Sequence, residues 1–164
     1  MTHQEDLQKI REQETTLKFE HFDFHTAWEL GQAIRQIAVQ KGKGVVIDIT
    51  RLDGMPLFFA ALPGTTPDNL SWVRRKSNVV KHFRTSSYFV GLTLKQDNTN
   101  VTDAHGLPDA DYATHGGAFP ICLHSGEMVA VVTVSGVPQR EDHALVVKGL
   151  CQVLGKDLSA LALD

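Results

Sequence analysis

Apolar residues recur at helical spacing between Thr26 and Ala38, where Ala27, Leu30, Ile34, Ile37 and Ala38 return to one face every third or fourth position. Thr26 and Glu29 have the form of a capping box at the start of this run, and Gly42 and Gly44 end it. A second helical run follows Thr66-Pro67-Asp68, a capping hydroxyl before a proline at the first helical position, with Leu70, Val73, Val80 and Phe83 in helical period. The pattern carries on through Tyr88, Phe89 and Leu92 to about Lys95, with a break near Thr85-Ser86-Ser87. A third run, from about Gln139 to Leu154, is apolar over most of its surface, so sheet, helices or another subunit must cover it. A shorter stretch from Glu5 to Glu14, with Leu7 and Ile10 among charges, predicts a helical extension within residues 1–16.

Period-two and continuous apolar runs predict five strands. Leu17 to Phe22, which alternates imperfectly, is a short first strand or an extended entry to the fold. Gly44 to Ile49 (GVVIDI) and Met55 to Leu62 (MPLFFAAL) flank the turn residues Asp53-Gly54 and read as an antiparallel hairpin. Phe119 to Leu123 and Met128 to Ser135 flank Ser125-Gly126 as a second hairpin, with MVAVVTVS buried on both faces. Strands joined by hairpins and interleaved with helices give an α+β fold with an antiparallel sheet, one domain over residues 1–164. Residues 97–117 carry Gly, Pro, Asn and the acids Asp97, Asp103, Asp109 and Asp111 without periodicity, and a structureless loop of that length is usually functional or mobile.

Composition narrows the class. With 42% hydrophobic and 21% charged residues the chain is globular, which excludes a disordered tail, a collagen-like fibre and a membrane span. The net charge of -3 gives no global field for nucleic acid or an anionic membrane. Two cysteines make no disulfide framework, and polar residues stand where a signal peptide would be apolar, so a cytoplasmic location is expected.

Two stretches offer chemistry. Between Leu70 and Arg84 the bases Arg74, Arg75, Lys76, Lys81 and Arg84 occur with no acid, and Arg74, Asn78 and Lys81 share a helix face. They read either as a site for carboxylates or phosphates or as a surface that pairs with the acidic loop. His115-Gly116-Gly117 precedes a strand; the glycines let backbone approach a ligand, and the histidine could ligate iron or exchange a proton, unless the segment is simply a turn. Cys122 and His124 point to one face of a strand and could chelate zinc with His105 or His115, but the tight paired spacing of a structural site is missing and no metal site is expected. His21 and His25 straddle a helix start. Glu141-Asp142-His143 is read as a first helical turn whose acids suit the helix dipole. No nucleophile elbow, Walker loop or dinucleotide fingerprint occurs.

The stretches PLFFAALPGTTPDNLSWVRRKSNVVKHF (Pro56 to Phe83), HGGAFPI (His115 to Ile121) and VVTVSGVPQREDHALVV (Val131 to Val147) together resemble the heme-degrading domain family, which includes GlcG-like proteins and secreted heme-binding sensors. The resemblance covers most of Phe19 to Leu154 and implies a profilin-like α/β sandwich, a five-stranded antiparallel sheet flanked by helices. It also implies homo-oligomers, at least dimers, and heme as a cofactor. With heme bound, side-chain chemistry would offer His115 or His82 as the axial ligand and Arg74, Arg75 or Lys76 for the propionates. The leading expectation is a cytosolic homo-oligomeric protein that binds a small anionic ligand, heme at its most specific, through Arg74, Arg75, Lys76, Asn78, His82, His115, Gly116 and Gly117. Its rivals are an assembly protein that recruits others through its oligomeric surface, with the acidic loop as contact, and an enzyme of heme breakdown or hydrolysis using His115 or His143.

Overall fold

A computed structural model describes residues 2–164. Its elements run α1 (His3–Thr16), α2 (Phe24–Gln40), β1 (Val46–Arg51), β2 (Pro56–Ala61), α3 (Pro67–Phe83), α4 (Ser87–Gln96), α5 (Val101–His105), β3 (Ala118–Cys122), β4 (Met128–Ser135), α6 (Gln139–Leu154) and α7 (Leu158–Leu161). The strands form one antiparallel sheet in the order β2-β1-β4-β3, with Asp48 of β1 between Phe59 and Thr133, and Phe119 of β3 opposite Val132.

The alternation of each strand sorts its residues between two helical layers. Ile47, Ile49, Phe58, Phe119, Val132 and Val134 face α2 and α6, where Leu30, Ile34, Val146 and Leu150 complete the main core. On the other face α3 lays Val80 against Ala118 and Val131. At the margin α1 and α4 bring together Leu7, Ile10, Tyr88 and Leu92.

The sheet has four strands, one fewer than expected, and the profilin-like description stands only at the coarser level of an antiparallel sheet flanked by helices. Residues 17–22 are not a strand: Leu17 and Phe19 are buried, but the segment makes a single parallel bridge from Phe19 to Leu123. Two bonds, Phe19 N–H to the Cys122 carbonyl at 2.9 Å and His124 N–H to the Phe19 carbonyl at 2.9 Å, are all that remain of the predicted pairing. They nevertheless help to close the outer edge of β3. There Pro120 has no N–H to offer, and the Ser87 hydroxyl answers both the N–H (3.0 Å) and the carbonyl (3.4 Å) of Ala118.

Three local expectations change. Asp23, not Thr26, caps α2: its carboxylate accepts from Thr26 N–H at 2.9 Å while the Thr26 hydroxyl accepts from the Asp23 N–H. The long helix breaks where anticipated, at Arg84 in the left-handed region (φ 62°), and Ser86 caps α4. The acidic loop is not structureless, since Asn100 caps the short helix α5 within it. The apolar α6, bounded as predicted, spends its apolar surface on the sheet and α2 of its own chain. Among the described residues no helix is long and apolar enough to cross a membrane.

A polar cleft between α3 and the start of α6

Lys76 lies on the inward face of α3 between Val73 and Val80, and only 3% of it is exposed. Its ammonium donates to the Val134 carbonyl at 3.1 Å and to Asp142 Oδ2 at 2.8 Å. Asp142, in the first turns of α6, accepts with Oδ1 from the Val137 N–H at 3.1 Å. Burial pushes the Asp142 carboxyl up and the Lys76 amine down from their ordinary pKa values, and in each case the partner's charge opposes the shift.

The His115-Gly116-Gly117 turn is shaped by this pair. Gly117 has φ 138°, and a Cβ there would collide with the Val134 carbonyl and stand 2.8 Å from Lys76 Nζ. Gly116 lets its backbone pass the Gln139 carbonyl, and its N–H donates to Gln139 Oε1 at 3.0 Å. The turn thus packs directly against the start of α6, which has Pro138 as N-cap and no side-chain cap.

Above Lys76 and Asp142 opens a cleft of about 260 Å³, walled by Asn69, Trp72, His115 and Gln139. His115 stands edge-on to Trp72 at 5.3 Å between ring centres, and the Arg75 guanidinium lies 4.9 Å above the same indole. Partial burial, then the charges of Lys76 and Arg75, lower the His115 pKa, so its imidazole is neutral at neutral pH. A second, wider cleft of about 530 Å³ shares His115 and Gln139 and is lined beyond them by Asp6, Tyr88, Lys95 and Arg140.

The basic segment therefore divides. Arg74 pairs with Asp111 at 3.0 Å, Asn78 donates to the Asp111 carbonyl at 2.8 Å, and Arg75 donates through Nε (3.0 Å) and Nη2 (2.6 Å) to the Asp109 carbonyl. These three side chains fasten the acidic loop to α3. His82 is exposed against Phe83 and Tyr112, away from the cleft. Lys76, His115, Gly116 and Gly117 converge, and Arg75 reaches their rim through Trp72. His143 belongs to the interior: its ring bonds Gln13 Oε1 at 2.8 Å, and burial lowers its pKa to about 3. Among the described residues no group of three His, Cys, Asp or Glu could hold a metal ion.

Sequence reasoning missed Asn69, Trp72, Gln139 and the role of Asp142. One signal was available: Val73, Lys76 and Val80 fall at helical spacing, which puts a lysine on an apolar face and calls for a buried counter-charge. Asp142 lies 66 positions further on, and nothing local names it as that partner.

Fold and site define an α+β single-sheet domain with an open polar cleft. Residues 22–151 match the model of the family described as haem degrading protein HbpS-like, and the chain belongs to that family. It is 56% identical over 158 residues to a UPF0303 protein of Paraburkholderia phymatum, covering 96% of this chain and 95% of the relative. A UPF0303 protein of Rhizobium leguminosarum bv. trifolii is 51% identical over 164 residues, covering 100% and 98%. Among solved structures the Ybr137w protein superposes with a TM-score of 0.84 at 29% identity, covering 91% of this chain and 88% of that one. A PduOC:heme complex superposes at 0.68 and 16% identity, covering 79% and 93%, a likeness of fold.

The family description implies heme, and the residues present fit its periphery. A neutral imidazole at the cleft mouth suits iron, and a guanidinium beside it suits a propionate. At about 260 Å³ this cleft lies below the roughly 300–1,000 Å³ of enclosed small-molecule sites, so by itself it does not envelop a macrocycle.

Proposed function

We propose that this chain binds a small ligand bearing a carboxylate or a comparable anionic group in the cleft between α3 and α6. The observation that carries this reading is the Lys76 ammonium at the cleft floor. It has three protons to donate and gives two, to Val134 and Asp142, which leaves one donor beside a helix start that has no side-chain cap. Asn69, Trp72 and Gln139, side chains that carry N–H groups, wall the opening. Titration calorimetry with inorganic phosphate and with short mono- and dicarboxylates tests it. A saturable heat that disappears in Trp72→Ala and Lys76→Met and persists in Arg74→Ala is expected. Heat that survives Trp72→Ala would move the ligand elsewhere.

Heme at the cleft mouth is a second reading, supported by the family description, by the heme complex of the PduOC relative and by the neutral His115. In this reading His115 ligates iron and Arg75 meets a propionate, while the wider cleft beyond Gln139 takes the rest of the ring. Hemin titration should give a Soret shift that is lost in His115→Ala and kept in His82→Ala; a shift retained without His115 overturns the assignment.

A further inference from the structure

The two clefts meet at a shared wall. His115 and Gln139 line both, and Gln139 is held there by the Gly116 N–H, which donates to its Oε1 at 3.0 Å. The two glycines of the turn mark the width of that wall. A Cβ on Gly117 would stand 2.8 Å from Lys76 Nζ in the small cleft, and a Cβ on Gly116 would stand 3.1 Å from Cδ1 of Tyr88, which lines the wide one. Neighbouring Cα atoms are about 3.8 Å apart, so the Lys76 ammonium and the Tyr88 ring lie within about 13 Å of each other.

The wide cleft holds unspent donors. Asp6 is the one acid among the described residues that line it, and Arg140 takes both of its oxygens, at 2.8 and 3.2 Å. Arg140 also donates to the Tyr88 hydroxyl oxygen at 3.4 Å, which leaves the phenol's own proton without an acceptor among the described residues. The Lys95 ammonium, in the last turn of α4, pairs with no carboxylate among them either. Tyr88 is 6% exposed and Lys95 is exposed, so one donor is fixed by packing and the other is free to move onto a ligand. Gly91, Leu92 and Leu94 of the same helix supply apolar lining for a hydrocarbon chain.

We propose that the two clefts are the two ends of one site and that its ligand is an unbranched dicarboxylate, with one carboxylate at Lys76, the chain across the wall of His115 and Gln139, and the second carboxylate at Tyr88 and Lys95. This rests on the small cleft taking an anion, as proposed above. A phenol O–H and an ammonium give two donors for the two oxygens of a carboxylate, and the ammonium supplies the counter-charge that Asp6, spent on Arg140, does not cancel. The wall sets the length. After about 3 Å for the hydrogen bond at each end, the span left needs a chain of about five or six bonds at roughly 1.2 Å each, the length of adipate or pimelate.

Titration calorimetry on the intact chain tests this with matched pairs: butyrate and succinate, hexanoate and adipate, octanoate and suberate. The second carboxylate should tighten binding roughly tenfold at the adipate length, the worth of one charge-assisted hydrogen bond, and by much less in succinate. Lys95→Met, at an exposed position, should remove most of that gain. In the double variant with Tyr88→Phe, which keeps the ring that packs on Leu7, Ile10 and Leu92, adipate should bind no more tightly than hexanoate. Trp72→Ala should lose both. A gain that survives the double variant, or no gain at any length while monocarboxylates still bind, overturns the bipartite site and leaves the small cleft as an anion site. No saturable heat from either member of any pair overturns both.

Discussion

Gly117 and Lys76 share one small volume. A methyl at Gly117 meets both the Val134 carbonyl and the Lys76 ammonium, on a backbone already at φ 138°. Gly117→Ala should destabilise the chain by roughly 2–4 kcal/mol, a fall of roughly 5–15 °C in thermal melting. Removing one member of the Lys76–Asp142 pair leaves the other charge buried alone. Asp142→Leu should therefore cost about 3–5 kcal/mol in urea denaturation, and the double variant with Lys76→Met should recover much of it. These residues also mark the limit of what could be read from the chain. The glycines, the basic run and a lysine on an apolar helix face were visible, but nothing local names its counter-charge, a carboxylate 66 positions away.

At the scale of elements, α1 is fastened by polar bonds as much as by Leu7 and Ile10. Arg140 donates to both carboxylate oxygens of Asp6 (2.8 and 3.2 Å), and Gln13 links α1 to α7 and α6 by donating to the Leu161 carbonyl and accepting from His143. Gln13→Ala would orphan both groups and should cost roughly 2–4 kcal/mol, with hydrogen exchange rising first in α1 and α7. The same junction sets a pH response. His143 titrates near 6.5 when unfolded and near 3 when folded, so between those values the unfolded chain binds the extra proton and stability falls as pH falls. The slope is about 1.4 kcal/mol per pH unit where only this group titrates. Glu14, Asp48 and Asp142, raised by burial, act in the opposite sense, so comparison with His143→Gln isolates the histidine. Most elements here were legible because caps, glycine stops and period are local signals; α6 runs over its predicted span. For residues 17–22 the pattern could not choose between a strand and an extended entry, because an apolar segment packed on a sheet edge has the composition of a strand without the partner that would make it one; the extended entry is what forms.

For the whole molecule, the family resemblance implied an oligomer, which would have explained the apolar α6 and the basic helix facing the acidic loop. Both are satisfied within one chain, by α2 and the sheet in the first case and by Arg74–Asp111 in the second. The large apolar side chains that stand exposed lie elsewhere, among them Phe24 and Trp28 on α2 and Phe59 on β2.

A sheet that could grow from both sides would have no natural stopping point, and identical chains would add to it one after another as a fibre does. Ser87, Pro120 and the bridging Phe19 remove that possibility on one side. On the other side Pro56 and the bulge at Leu57 interrupt the free backbone groups of β2, so neither edge of this sheet offers an unbroken template for growth.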